Sequence, residues 1–402
     1  MSSFKYSRLD FLFTCVGLPV FLLDVGLDIW AAVSFYRAGA YWSLGVLVLL
    51  LLGSSVLVQV YSWFWYSYED FRRESRVEAR LSQNQLRLVH LLQLGIYLRH
   101  AGVLELSVLS CYMKDHNGFV VYLSHDLSML KLIETFTESA PQLVLMLTII
   151  LQEGRLDAFT VLKAVGSASA IAFCVTTYHR SLRSFLPDKQ KQRFGSSLVY
   201  FLWNLLLIAS RLTAIALFAS VLACFVFTHF ICSWMVFFFF AWRSQTSFMD
   251  SAGGEWLYRA TVGIIWYFDW FNVTEGRTRY RTLVYHSFML LDISVLCGIW
   301  CWKMITDPPY AAVPPLNAAV TAAGVVLVYV LGLLLKMLYY KCCHPNPNKE
   351  ELKGDDLEYQ RALEEDVVDT RMFRMAAVQQ EPSPPLPHCN KRMRKLAENF
   401  YS

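Results

Sequence analysis

Charge is scarce in this chain. Asp, Glu, Lys and Arg make up 17% of its 402 residues, while 55% are hydrophobic and 15% aromatic. Together with a positive mean hydropathy, that scarcity excludes water as the main solvent of the molecule. No Walker loop, HExxH, GxSxG or kinase signature occurs, so nothing supports ATP hydrolysis or covalent chemistry. The expectation is a non-enzyme with no cofactor, no metal and no nucleic-acid partner, which leaves passive transport as the class. A CxxC metal pattern and a disulfide framework are also lacking, because the ten cysteines are scattered and most fall inside apolar runs. The adjacent Cys342 and Cys343, just past the last apolar run, stand where S-palmitoylation is common, with plain exposed thiols as the alternative. The first apolar run lacks a basic n-region and a small-residue cleavage site, and carries Asp24 and Asp28, so it reads as a retained helix.

What the chain has in quantity is apolar sequence in lengths of roughly 20 residues or more, each enough for one membrane crossing. Spans are expected at Phe11 to Tyr36, Tyr41 to Tyr66, Leu123 to Leu151, Leu156 to Tyr178, Leu283 to Ile305 and Pro315 to Tyr340. The run from Leu198 to Trp242, broken only by Arg211 and His229, is twice a crossing, so it predicts two helices with a tight turn near Ser220 to Cys224. That makes eight. Two apolar pieces, Leu88 to Leu98 and Ala260 to Phe268, are bounded by charges. At about 15 Å of helix each they are too short to cross, and predict short re-entrant hairpins buried in the bundle. The order span, span, short, span, span then occurs twice, which suggests two pseudo-repeats at approximately 1–182 and 195–341. Residues 1–341 form the expected membrane domain, and 342–402 a soluble tail.

Orientation follows from Lys and Arg in alternate loops: Arg72, Arg73, Arg76 and Arg80; Arg180, Arg183, Lys189, Lys191 and Arg193; Arg277, Arg279 and Arg281. By the positive-inside rule these loops, both termini and the tail are cytosolic. The sequon Asn272-Val273-Thr274 then lies on the wrong side for glycosylation.

The apolar helices also carry ionisable groups. Asp24 and Asp28 are spaced i,i+4, and Asp10 precedes Asp28 by 18 residues, five full turns, so the three share a face. The third span repeats the device with Glu134 and Glu138, preceded by Asp126 and Lys131, and later spans add Arg211 and Asp292. One charge at the bilayer centre costs about 2.5 to 3.5 kcal/mol even on the lenient insertion scale, so these side chains must face inward. They could be buried ion pairs that hold helices in register. They could instead line a polar track, and mixed signs suit a zwitterionic passenger such as a lipid head group better than one simple ion.

After Tyr340 the chain becomes acidic and then proline-rich, at Pro382, Pro384, Pro385 and Pro387, and reads as exposed and flexible. Asn390 can cap a short helix in which Met393, Leu396, Ala397 and Phe400 share one face, suited to dock on the inner leaflet or the cytosolic face of the membrane domain. Asp366-Val367-Val368-Asp369 has the DxxD form read by executioner caspases, with Thr370 after the cut larger than the small residue usually favoured there.

Several segments carry a family resemblance: Phe21-Leu22-Leu23-Asp24 with Asp28-Ile29-Trp30, Asp126-Leu127-Ser128-Met129-Leu130-Lys131-Leu132, Glu138-Ser139-Ala140-Pro141-Gln142-Leu143, Tyr178-His179-Arg180, Tyr200-Phe201-Leu202-Trp203-Asn204-Leu205, Glu255-Trp256-Leu257-Tyr258-Arg259 and Trp270-Phe271-Asn272-Val273. Over nearly its whole length the chain resembles the XK-related family, in particular its apoptotic scramblase branch. The resemblance implies an all-α polytopic fold of eight transmembrane helices plus two short re-entrant hairpins, with a cytosolic C-terminal helix that restrains activity. It implies passive phospholipid scrambling that exposes phosphatidylserine at the plasma membrane once an executioner caspase cuts at Asp366 and Asp369. A single-span immunoglobulin-type chaperone, basigin or neuroplastin, is the implied partner. The matched head-group path is Asp10, Asp24, Asp28, Glu134, Glu138, Arg211 and Asp292. One departure is Thr177, where the family pattern has Asp. From the residues alone, an ion-coupled secondary transporter and a non-transporting structural subunit stay open beside this reading.

Overall fold

The computed structural model describes residues 8–67, 75–112, 117–154, 158–185, 194–244, 246, 248–273, 279–310 and 313–343. The tail positions Asp366, Asp369, Thr370, Met393, Leu396 and Phe400 lie outside the described residues, as do the side chain of Cys343 and Thr274 of the sequon. So do Arg72, Arg73, Lys189, Lys191, Arg193 and Arg277 of the basic loops.

The regular structure of the described residues is all helical, with no strand among them. Two long helices, α1 (Arg8–Arg37) and α2 (Tyr41–Ser67), open the fold and turn tightly through Gly39, whose φ of 68° is one that glycine adopts without a Cβ penalty. Three shorter helices follow, α3 (Arg76–Ala79), α4 (Gln83–Leu91) and α5 (Gly95–Tyr112). Ser82 opens α4 with a capping box completed by Gln85. Then come α6 (Asn117–Glu134), α7 (Ala140–Glu153), α8 (Ala158–Phe185), α9 (Phe194–Val221), α10 (Ala223–Arg243), α11 (Ala252–Phe268), α12 (Arg279–Thr306) and α13 (Pro315–Leu338).

Among the described residues, seven helical stretches are long and apolar enough to cross a membrane: Asp10–Arg37, Tyr41–Ser67, Val161–Arg183, Phe194–Val221, Ala223–Arg243, Arg279–Thr306 and Pro315–Cys342. The chain is an all-helical polytopic membrane protein. The expected split of the long apolar run occurs at Leu222, where φ of −136° breaks the helix between α9 and α10.

Two expectations differ in detail. The span expected at Leu123 to Leu151 is not one α-helix but α6 and α7 joined by a π-turn over Thr135–Ser139. Pro141 explains it: with no N–H it cannot bond the carbonyl one turn back, so the ladder loosens and Ala140 N–H reaches Thr135 O instead. The piece expected at Leu88 to Leu98 is likewise interrupted, since α4 ends at Leu91, Gln93 takes a left-handed φ of 62°, and α5 restarts at Gly95. Gly95 sits so close to the Gln59 amide and the His90 ring that any Cβ would collide with both. Arg180 and Arg183, read from sequence as loop residues, belong to the last turns of α8 and are buried.

The most enclosed helix is α9, which packs against α7, α8, α12 and α13 and so joins the first part of the chain to the last. Gly332 lets α13 approach it closely, for a Cβ there would stand 2.7 Å from Leu207 Cδ2. Across the centre, Tyr61 of α2 donates to Thr261 of α11 at 2.9 Å, and the Phe136 ring stacks 6.2 Å from Phe268. By contrast α1 and α10 are only 11% buried over their spanning windows. Exposed Leu22, Leu23 and Ile29 on α1, and Phe225, Ile231 and Phe239 on α10, present the apolar surface a bilayer solvates.

Candidate functional site: a charged groove along the first helix

Because α1 touches few neighbours, its inward face leaves space. That space is a cavity of about 470 Å³ bounded by α1, α5, α6, α7 and α8. Its lining follows α1 from Asp10 through Asp24 and Asp28 to Ser34. Twenty-four residues of helix rise roughly 36 Å, which exceeds the roughly 30 Å hydrocarbon thickness. The groove therefore extends the full depth of a crossing, and its charges come in three tiers.

At one end Arg180 of α8 donates to Asp10 Oδ1 at 3.0 Å and to Ser197 Oγ at 2.6 Å, with its guanidinium 4.6 Å from the centre of the Phe13 ring. In the middle, Gln142 donates to Asp28 Oδ1 at 2.7 Å. Lys131 pairs with Glu134 at 2.6 Å and lies 3.6 Å from the Phe21 ring centre. Carboxylate oxygens of Asp24, Asp28 and Glu138 all lie within 4.8 Å of one another, close enough to hold a cationic group between them. The π-turn contributes to this, because it packs against α2, α8 and α11 and brings Glu138 to Asp24 and Asp28. At the far end Lys163 of α8 sits over the Trp30 ring, 4.2 Å from its centre.

The groove is thus lined by acids (Asp10, Asp24, Asp28, Glu153) and bases (Lys131, Lys163, Arg180), between apolar walls. Such a strip can carry a group of both charges while an apolar appendage remains in lipid. Glu134 and Glu138 stand behind the lining, the first holding Lys131 and the second completing the carboxylate cluster.

Arg211 and Asp292 are elsewhere. They form an ion pair between α9 and α12, where Arg211 also donates to Tyr267 O at 3.0 Å, and His229 bridges Asp292 Oδ1 at 3.1 Å and the Tyr267 hydroxyl at 3.0 Å. Neither residue lines the groove. Their network ties α9, α10, α11 and α12 together. Asp126 does not line the groove either; it is buried against Arg99 at 3.5 Å. Arg99 in turn donates to the Ser62 hydroxyl at 2.8 Å and its backbone carbonyl at 3.1 Å, beside Glu78, whose carboxyl burial raises while Arg99 opposes the rise.

Sequence reasoning missed Arg180, Gln142 and Lys163 as groove residues. Lys163 had a visible signal, being a single cation inside the expected span Leu156 to Tyr178. Gln142 had none beyond polarity. Thr177 lines the groove with its hydroxyl turned back onto Phe173 O at 2.9 Å, so it adds no charge there. Cys342 is exposed at the end of the π-turn Tyr339–Cys343.

Comparison with known proteins places this architecture. The family model for the XK-related proteins matches residues 12–345. The chain is 45% identical to XK-related protein 8 of Tetraodon nigroviridis over 413 aligned positions, which cover 100% of this chain and 98% of that protein. It is 47% identical to XK-related protein 8 of Gasterosteus aculeatus, over 85% of each chain. Against XK-related protein 8 of Pan troglodytes it is 35% identical, over 98% of this chain and 94% of that one. A match that runs through the groove helices and on past α13 means that the chain belongs to the XK-related family.

Proposed function

We propose that this protein is a passive phospholipid scramblase, ATP-independent and activated by a caspase, that exposes phosphatidylserine on the cell surface during apoptosis. One observation carries the reading: a groove bearing both signs of charge runs the whole membrane depth beside a helix whose other face is apolar and exposed. A head group crossing bare hydrocarbon loses its hydration. A head group passing Asp28, Asp24, Lys131, Asp10 and Arg180 exchanges water for fixed charges, while its acyl chains stay in the bilayer. Each charge contact worth about 1.4 kcal/mol speeds the crossing about tenfold.

In the finer topology we propose, α6, the π-turn and α7 together form the eighth crossing, α4 with α5 and α11 are re-entrant, and both termini are cytosolic. Asp10 and Arg180 then mark the inner end of the groove, and Trp30 and Lys163 the outer end. The tail beyond 342 carries the cut at Asp366 and Asp369, and its helix with Met393, Leu396 and Phe400 restrains the inner end. A single-span immunoglobulin-type chaperone, basigin or neuroplastin, accompanies the protein to the plasma membrane.

A second reading has its own observation. The carboxylate cluster Asp24, Asp28 and Glu138 could serve a coupling cation in a secondary transporter. Vesicles containing the purified protein and fluorescent lipids decide between them, assayed before and after caspase treatment with an Asp369→Ala control. Accelerated flipping after the cut, abolished by the substitution, supports the scramblase. Lipid movement absent in every form, with solute uptake driven by a sodium or proton gradient, would replace it by the transporter.

A further inference from the structure

The groove belongs to the first part of the chain, and the pair that marks one end of it, Asp10 with Arg180, joins α1 to α8. What stands behind that pair comes from the other end of the fold. His179 precedes Arg180 on α8, and its ring lies nearly parallel to that of Tyr200 of α9, with 4.1 Å between centres and 18° between planes. Tyr200 in turn meets Tyr339 edge-on, at 5.6 Å and 70°. Tyr339 opens the π-turn that closes α13. All three rings are buried.

A second contact runs beside the first. Lys336, one turn before Tyr339, holds its ammonium 4.7 Å from the ring centre of Trp203, one turn after Tyr200, and the Trp203 ring meets Tyr200 at 4.9 Å. Lys336 is also tied to α12, where it donates to His286 Nε2 at 2.8 Å. On α9 the residues Ser197, Tyr200 and Trp203 recur at every third position and so share a face. Ser197 accepts from Arg180 itself at 2.6 Å, so this one face of α9 holds Arg180 directly and its neighbour His179 through Tyr200.

A guanidinium at the tip of a long side chain has many rotamers, and fixing one of them costs entropy. The backbone that carries it must therefore be held still. Buried rings in contact have no free space into which to yield, so a displacement at Tyr339 is passed to Tyr200 and His179. The π-turn is a suitable origin for such a displacement, because turns of this kind are rare inside helices and recur at functional positions.

We infer that His179, Tyr200 and Tyr339 are positioning residues for the groove: their stacked rings set where Arg180 stands against Asp10, and so couple the end of α13 to a path built from the first part of the chain. The consequence for lipid movement rests on the scramblase reading. The coupling of Tyr339 to Arg180 does not.

The test uses the purified full chain in vesicles, in whichever form flips lipid. Tyr200→Leu removes both ring contacts and Tyr339→Leu only one, and each should slow flipping several-fold, whereas Tyr200→Phe should keep the wild-type rate. Arg180→Gln should add little further loss in the Tyr339→Leu background, while Asp28→Asn, elsewhere in the groove, should add its loss in full. Tyr339→Leu carries this comparison alone if Tyr200→Leu does not fold. Full addition by both Arg180→Gln and Asp28→Asn would overturn the coupling, as would a wild-type rate in Tyr339→Leu. A second measurement needs no flipping. Ser181, next to Arg180, and Ser34, toward the opposite end, both line the groove. Each is replaced by cysteine, and its labelling by a charged methanethiosulfonate is read against the chain without the added thiol. Tyr339→Leu should raise labelling several-fold in Ser181→Cys and leave Ser34→Cys unchanged. No change in either, or an equal rise in both, would overturn the coupling. Selective labelling without flipping in any form retains the coupling and sinks the scramblase, whereas flipping with unselective labelling does the reverse.

Discussion

Arg180 and Asp10 meet at 3.0 Å although 170 residues of chain separate them, and their pairing joins α8 to the start of α1. The pair stands at one end of a groove whose other end is held by Lys163 and Trp30.

Breaking that pair should alter transport more than folding. Arg180→Gln leaves Asp10 with water and groove polar groups at the membrane edge, so lipid flipping should fall several-fold at near-normal expression. The exchanged double variant Asp10→Arg with Arg180→Asp should recover part of the rate. Flip assays on the four proteins, read as a double-mutant cycle, check this, and additive losses without recovery would mean that the pair does not act as a unit.

Neutralising the central carboxylates should be more damaging to transport. Asp24→Asn, Asp28→Asn and Glu138→Gln keep size and hydrogen bonding but remove charge from the level where hydrocarbon is thickest. Each should slow flipping by about tenfold, the equivalent of about 1.4 kcal/mol, with unchanged elution by size-exclusion chromatography. Unaltered rates in all three would show that head groups do not use this tier.

The Arg99 cluster should behave in the opposite way. Arg99 is buried and bonds Ser62 twice while lying 3.5 Å from Asp126. Arg99→Met takes the guanidinium away from the buried Asp126 carboxylate and should cost about 3–5 kcal/mol, seen as a large drop in Tm or loss of expression. Glu78→Gln should be much milder, because burial already favours the neutral carboxyl. Comparable destabilisation by both would contradict that account of Glu78.

Helix proximity makes a separate prediction. Gly332→Ala puts a methyl 2.7 Å from Leu207 Cδ2. It should cost about 1–3 kcal/mol in thermal unfolding. Adding Leu207→Ala should make the second substitution cheaper in the Gly332→Ala background than alone, since the cavity it opens is partly filled by the new methyl.

Much of this architecture was legible beforehand because its signals are local. An apolar run long enough to cross a membrane has no other stable use, so α1, α2, α8, α12 and α13 could be placed from composition, and the break near Leu222 from excess length. The common face of Asp10, Asp24 and Asp28 followed from helical periodicity alone, and all three line the groove. The interruption at Thr135–Ser139 was not read from the sequence, although its cause is local: the missing N–H of Pro141 acts within its own turn.

Partner choice was another matter. Sequence determined that charges in these spans must face inward, since the cost of facing lipid is a property of each side chain. Only the tertiary structure decided which charge meets which. Asp126 and Asp292 look in the sequence like Asp24, yet the first is buried on Arg99 and the second on Arg211, and neither reaches the groove. Arg180, on the evidence of its neighbours a loop cation, instead pairs with Asp10 at one end of the groove, and Lys163, a cation in an apolar helix, stands over Trp30 toward the other. The physical reason is that burial cost is set residue by residue, whereas compensation depends on helices far apart in the chain coming within a few ångströms of each other.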